Sequence, residues 1–439
     1  MSPLYISRVP SVYSQHQLHE DADIPAKGLV PTPYSLVSEV PGQLLPKLSY
    51  SPIAGSSTKR VRSFGNLAAH LVPDVDEPGT LFSGSDTESV GDAQVPSFVD
   101  CPPAGDGNLL DSILLAEWED RAELGLFRYD VTACPTQLVP GPYGFIAQCN
   151  EGRASKKRPT EFRVDQVCQS WDPKKFNFQK ALQQEVLFQY EAGLPSNGKL
   201  KFIAASPAND SPNLVLINVS PIEYGHVLLV PRVMSNLTQL IDQASMRLAL
   251  QFCEHSNNPY FRLCYNSLGA YGTINHLHFQ GYYLQAPFAV ERAPTAPVPG
   301  YTGSRRFKDV RMYQLEEYPV RGLVFECGQN LPDMADFVTE VCLRLQDANI
   351  AHNLFIVDCG MRVFLYPNGF ATAKAEGRVP SALLDSQVDP ASFEISGHII
   401  TKRQQDYDAL TQDGIWDLLS YASLSQEAFT KFCHYALDF

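Results

Sequence analysis

The chain has 439 residues, 44% of them hydrophobic, with 34 basic against 48 acidic side chains and a net charge of −14. That apolar share supports a sizeable core, and the length suggests on the order of two or three domain-sized units. The acidic balance excludes a general nucleic-acid binder, whose phosphate contacts need a basic surface, so an anionic substrate must be drawn in by local cations.

The ten cysteines are Cys101, Cys134, Cys149, Cys168, Cys253, Cys264, Cys327, Cys342, Cys359 and Cys433. None forms a C-x-x-C pair, so they read as reduced, mostly buried thiols rather than as a zinc ribbon. Met1-Ser2-Pro3-Leu4-Tyr5 lacks a basic region followed by an apolar run, and no segment offers about 18 consecutive apolar residues. Neither a secretory signal nor a membrane span is expected, and the expected location is cytoplasmic, with a nuclear pool allowed.

Residues 1–106 are rich in proline and serine, and Gly84-Ser85-Asp86-Thr87-Glu88-Ser89 is polar and acidic. This composition predicts a largely disordered tail from which short pieces can dock on the body. Leu110, Ile113, Leu114 and Trp118 then recur at helical spacing. Further helices are expected over Phe178–Ala192, from about Leu237 to Glu254 after an Asn236 cap, and from about Asp333 to Asp347. Strands are expected at Leu214–Val219 and His226–Pro231 around a turn at Pro221–Gly225, then at Phe261–Tyr265 and Ile274–Leu284. The pattern is α+β, antiparallel strands with helices on one face. The hairpin Asn353–Pro367 echoes Leu214–Pro231 and suggests a duplicated half without its own histidine pair. The expected division is a catalytic half over 107–300 and a degenerate half over 301–439.

Side chains of an extended strand alternate faces, so Ile274–Tyr282 puts His276, His278 and Gln280 on one face, with Leu277 and Phe279 on the other. Three polar groups on one face of an apolar strand are costly unless paired or used. Attack on a phosphate ester fits this array. A neutral imidazole is nucleophilic, and its second nitrogen can be held as a donor by a backbone carbonyl. A phosphoryl centre also needs donors for its equatorial oxygens. A zinc site completed by His226, His255 or Cys264, and a purely structural histidine pair, are the competing readings.

Two further segments bear on identity. Ile217 through Arg232, with Gly225-His226-Val227-Leu228, followed by Asn275-His276-Leu277-His278-Phe279-Gln280, resembles the histidine-triad superfamily. Gln280 in the third place resembles its nucleotidyltransferase branch, where hydrolases usually carry a third histidine. Gly125–Cys134, Lys157–Asp165, Tyr265–Ala270 and Phe393–His398 resemble the GDP-hexose phosphorylase family, in particular the plant enzymes of ascorbate synthesis that act on GDP-L-galactose. The resemblance spans about Leu109 to Phe432.

The resemblance implies a histidine-triad-like antiparallel sheet with flanking helices, in two similar halves as in galactose-1-phosphate uridylyltransferase-type enzymes. It implies phosphorolysis of a GDP-hexose by inorganic phosphate, with His278 as nucleophile aided by His276 and Gln280. The animal relatives acting on GDP-D-glucose are the nearest alternative; a non-catalytic guanine-nucleotide-binding regulatory protein and a nucleotide-sugar hydrolase are others. Asn218, His226 and Asn266 fall where substrate-contacting groups are expected. Arg153, Lys156, Lys157, Arg158 and Arg163 form a basic run suited to phosphate. Related enzymes often carry structural metal; the missing cysteine pairs do not indicate one here but leave it open, and the sequence points to no definite cofactor. A homodimer is expected by analogy.

Overall fold

Why the chain builds one large sheet follows from where its β-branched and aromatic runs fall. The computed structural model describes residues 44–52, 109–156, 161–192 and 198–437. Strand β1 (Leu44–Pro52) comes first, followed by helix α1 (Leu109–Glu123). Two short strands, β2 (Thr136–Leu138) and β3 (Ile146–Cys149), and helix α2 (Glu151–Lys156) lead to β4 (Val186–Glu191) and β5 (Gly198–Pro207). The first half continues as hairpin β6 (Leu214–Ile217) and β7 (Val227–Val230), helix α3 (Gln243–Ser256), then hairpin β8 (Phe261–Asn266) and β9 (Phe279–Tyr283). The second half opens with β10 (Thr295–Pro297) and repeats the order: β11 (Val310–Leu315) and β12 (Leu323–Cys327), helix α4 (Leu331–Asp347), then β13 (His352–Val357) and β14 (Arg362–Pro367). Short helices α5 (Phe370–Ala375), α6 (Ser381–Asp385) and α7 (Ser392–Ser396) lead to β15 (His398–Thr401).

Twelve strands form a sheet in the order β10-β11-β12-β14-β13-β8-β9-β7-β6-β4-β1-β5, while β15-β3-β2 form a small second sheet. The halves meet where β8 and β13 pair antiparallel, Asn266 opposite Asn353 and Cys264 opposite Phe355. Outward from that seam each half shows the same succession. The expected echo is therefore displaced by one hairpin: Asn353–Pro367 follows its helix and corresponds to β8–β9, whereas β11–β12 corresponds to β6–β7.

Alternate residues of the central strands feed two cores. Leu263, Tyr265, Leu354 and Ile356 pack with α3 and α4 on one face, and Cys264, Phe355, Phe364 and Tyr366 pack with α7 and β15 on the other. The expectation of helices on one face alone is thus corrected, because an alternating strand whose residues are apolar at every position needs cover on both sides. The α+β class itself is what the chain adopts.

Three local expectations change. Residues 178–185 form two short 3₁₀ turns, and Val186–Glu191 is strand, not helix. Val186 to Tyr190 are buried between β1 and β6, a two-sided burial suited to β-branched and aromatic residues. Helix α3 starts at Gln243, because Asp242 and Ser245 form a reciprocal capping box, while Asn236 takes a left-handed conformation at φ 54°. Strand β9 begins only at Phe279, since the chain bends at Ile274–His276. Within the segment read as a tail, Leu44–Pro52 inserts between β4 (parallel) and β5 (antiparallel), burying Leu45 and Leu48. The remaining positions of 1–106 lie outside the described residues.

Candidate active site

A cleft opens at the edge of the first half, where the start of β9, the β6–β7 turn and α7 converge. His278 sits half-buried in its wall, with Gln280, Asn218 and Asn266 beside it. The His278 Nδ1–H donates to the His276 carbonyl at 2.7 Å, which leaves the lone pair on Nε2. Burial pushes the His278 pKa down to about 4, so the ring is neutral at pH 7. A neutral imidazole, tautomer fixed and free nitrogen accessible, is what nucleophilic attack on phosphorus requires.

The backbone of His278 is held by a residue the sequence did not single out. Gln239, 1% exposed, accepts from His278 N–H through Oε1 at 3.0 Å. Its Nε2 donates to the His278 carbonyl at 3.1 Å and to the Asn266 carbonyl at 3.0 Å. Gln239 N–H in turn donates to Asn275 Oδ1 at 2.9 Å, and Asn275 Nδ2 donates to the carbonyls of Gln169 and Ser170. This amide chain takes the place of a ladder partner just before β9 begins. No local periodicity marks a glutamine 39 residues away.

His276 does not join the row. The bend at 274–276 turns its ring into the body, fully buried, with Nδ1 accepting the Phe178 N–H at 3.0 Å and the ring edge-on to Trp171 at 4.9 Å. Burial lowers its pKa to about 3. The strand alternation that grouped His276 with His278 requires an extended backbone, and the bend removes it. What His276 gives the site is its carbonyl.

Gln280 is aimed by His226. Gly225, at φ 68°, makes the turn that delivers His226 to the sheet, and a side chain there would strike Tyr283. Ile222 N–H donates to His226 Nδ1 at 2.8 Å. Burial and the Arg153 charge hold the ring's pKa well below its usual value, so it is neutral, with its hydrogen on Nε2. That N–H donates to Gln280 Oε1 at 3.2 Å. The Gln280 carbonyl is thus committed to His226, and its NH₂ remains the donor for a ligand. Asn218 Nδ2 also lies 3.2 Å from His226 Nε2, but two donors cannot bond, and Asn218 is held instead by Ser220 N–H to its Oδ1 at 3.0 Å.

Asn266, 6% exposed, is tied across the seam: its Oδ1 accepts from Asn353 Nδ2 at 2.6 Å and from Ser392 N–H at 3.0 Å. Asn368 extends the chain to Asn353 at 2.8 Å. The second half thereby fixes a cleft residue of the first. His398 is buried behind the cleft, against the Tyr282 hydroxyl at 2.7 Å, and does not line it.

The expected basic run is only partly present at the cleft. Arg153 lines it, held by donation from Nη1 to the Ser220 carbonyl at 2.7 Å. Arg163 is exposed and paired with Asp165 at 2.6 Å, away from the cleft. Lys157 and Arg158 lie outside the described residues. Two other cations reach the cleft, Arg128 and Lys402, the latter 3.3 Å from Asp389. Arg128 falls inside the Gly125–Cys134 motif and could have been singled out; Lys402 arrives from the far end of the chain by tertiary folding alone. His226, His255 and Cys264 do not converge, and among the described residues no group of three His, Cys, Asp or Glu side chains could hold a metal ion. No helix among them is long and apolar enough to cross a membrane.

Known proteins similar to this chain include both plant and animal phosphorylases. GDP-L-galactose phosphorylase 1 of Arabidopsis thaliana is 52% identical over 324 residues, covering 73% of this chain and 72% of its own length. GDP-D-glucose phosphorylase 1 of Bos taurus is 33% identical over 332 residues, covering 72% of this chain and 79% of its own. Yeast Ap4A phosphorylase Apa2 in complex with Ap4A superposes with a TM-score of 0.49 at 12% identity, over 72% of this chain and 98% of that one. The GDPGP1-like N-terminal domain matches residues 109–282 and the GDPGP1-like C-terminal domain residues 289–439, so the chain belongs to the GDPGP1-like family.

Proposed function

We infer that this chain is a GDP-L-galactose phosphorylase, converting GDP-L-galactose and phosphate into L-galactose 1-phosphate and GDP. The observation that carries the chemistry is His278: neutral, with Nδ1 committed to a carbonyl and Nε2 left to attack, beside an amide donor whose direction His226 sets. Its substrate assignment is supported by the Arabidopsis relatives at 52% and 51% identity, against 33% for the bovine enzyme of GDP-D-glucose.

His278 Nε2 attacks the α-phosphorus of the GDP-hexose, and the bond from that phosphorus to the bridging oxygen breaks. Hexose 1-phosphate leaves with the bridging oxygen, and guanosine monophosphate remains on His278. Inorganic phosphate then attacks the same phosphorus, the bond to Nε2 breaks, and GDP departs. The Gln280 NH₂ donates to an equatorial oxygen, and Arg128, Arg153 and Lys402 offset the phosphate charge. Each displacement inverts at one centre, so kinetics are ping-pong. No step requires a cofactor. L-ascorbate biosynthesis in the cytoplasm, with a nuclear pool, is the setting proposed from the resemblance to the plant enzymes, and a homodimer the proposed assembly.

The test is incubation with GDP-L-galactose in the absence of phosphate. An acid-labile guanylyl adduct should form on His278 and be released as GDP when phosphate is added. Adduct formation by His278→Asn, or phosphate-independent turnover to GMP, contradicts the mechanism. Comparing kcat/KM for GDP-L-galactose and GDP-D-glucose decides the hexose.

A further inference from the structure

The cleft is divided by chemistry. Arg153, Lys402, Asn218 and Asn266 line it together with His278 and Gln280, and an apolar run of Phe176, Phe178, Leu216, Leu228 and Ile274 starts at the His278 ring, 5.0 Å from Phe178, and packs with Val186 of β4. An apolar slot of this kind takes a flat aromatic group. Of the acidic side chains in its lining, Glu185, Asp389 and Glu394, it is Glu185 that lies beside Val186 at the start of β4.

Register gives the distance. Gln280 is opposite Leu228, Leu228 opposite Leu216, and Leu216 opposite Val186. Directly opposed residues share a face, so these four form one row across β9, β7, β6 and β4. Three strand spacings amount to about 14 Å. A purine nucleotide with its α-phosphate at Gln280 and its base over Leu228 and Leu216 brings its Watson–Crick edge within reach of a glutamate beside Val186. The backbone there is firmly held: Arg121 donates to the carbonyls of Gln184 at 3.0 Å and Val186 at 3.1 Å, and Glu185 N–H donates to the Leu182 carbonyl at 2.9 Å.

We propose that Glu185 reads the base, its carboxylate accepting from guanine N1–H and the 2-amino group together. This rests on the GDP-hexose reading above and names the group that makes the nucleotide guanine. Adenine presents a lone pair at N1 and is repelled. Hypoxanthine keeps N1–H but lacks the second donor. A pyrimidine is too short to reach across the row while its phosphate stays at Gln280.

Binding of GDP, IDP and 1-methyl-GDP to the intact protein tests the assignment without any substitution. IDP should bind about 10-fold more weakly than GDP, and 1-methyl-GDP, which loses a donor and sets a methyl against the carboxylate, about 100-fold more weakly. Glu185→Gln turns an amide toward the 2-amino group and should bring the GDP:IDP affinity ratio to one or below, with a raised KM for GDP-hexose. Equal binding of GDP and 1-methyl-GDP by the wild-type protein, or a folded Glu185→Gln protein that keeps the wild-type GDP:IDP ratio, overturns the proposal. Should that variant fail to fold, the wild-type analogue series decides alone. Guanine discrimination without phosphorolysis would sink the reaction and leave Glu185 standing; phosphorolysis without guanine discrimination would do the reverse.

Discussion

Replacing Gln239 with alanine probes how His278, the proposed nucleophile, is held. Its side chain satisfies three backbone groups, the His278 N–H, the His278 carbonyl and the Asn266 carbonyl, at 3.0, 3.1 and 3.0 Å. A buried group left without its partner costs roughly 1 kcal/mol or more, so the substitution should destabilise the protein by about 3–5 kcal/mol. At about 2 °C per kcal/mol for a chain of this size, the melting midpoint should fall by about 6–10 °C. Gln239 does not line the cleft, so KM should change little. The turnover number should fall between about 10- and 100-fold, because a nucleophile freed by a fraction of an ångström loses alignment with phosphorus. Gln239→Glu keeps the acceptor for His278 N–H but sets a carboxylate against two carbonyls, and should not rescue. Thermal melts and steady-state phosphorolysis on the same preparations provide the readout. A lowered midpoint with unchanged kcat would reduce Gln239 to a structural role, and a variant unchanged in both would refute the argument.

His226→Phe should lower kcat about 10- to 100-fold by releasing Gln280, and adding Gln280→Ala should then cost little more, since the two act as a unit; additive losses would separate them. Acid should destabilise the fold. Burial holds His276 and His398 near pKa 3, His255, His278 and His352 near 4, and His226 well below its usual value. Below about pH 6.5 the unfolded chain takes up protons that the folded one refuses, so stability falls with pH until the folded values are reached. At pH 5.5 each of the five held near 3 or 4 contributes about 1.4 kcal/mol toward unfolding, and His226 acts in the same direction. Asp111, raised by burial to about 6, opposes this with about 1 kcal/mol. A melting midpoint flat from pH 7.5 to 5 would contradict this sum, whereas kcat should show no acid limb near pH 6.5 from His278. Leu48→Ala in β1 removes a fully buried side chain between β4 and β5 and should cost about 2–5 kcal/mol by chemical denaturation. An unchanged midpoint would mean that β1 is not part of the sheet in solution.

Much of this architecture is written in local pattern. The β6–β7 hairpin, helices α1 and α4, and the β13–β14 hairpin follow from apolar periodicity, which depends only on neighbours in sequence. His278 and Gln280 were legible for the same reason, as polar side chains two apart in an apolar run. Where the reading failed, a distant partner decided. Val186–Tyr190 carries no clear alternation because both of its faces are buried, and only its place between β1 and β6 makes it strand. Leu44–Pro52 enters the sheet through pairing with β4 and β5, contacts its own neighbourhood does not foretell.

The same division holds at the site. Sequence by itself singled out His278 and Gln280, the proposed nucleophile and donor, because both lie on one short segment and their chemistry is that of the side chains alone. Tertiary structure decided which way each points. The Phe178 N–H draws His276 out of the row across 98 positions, Gln239 grips His278 across 39, and the Ile222 N–H sets the proton on His226 that turns Gln280. Tautomer and orientation are fixed by hydrogen-bond partners, and those partners are neighbours in space before they are neighbours in the chain.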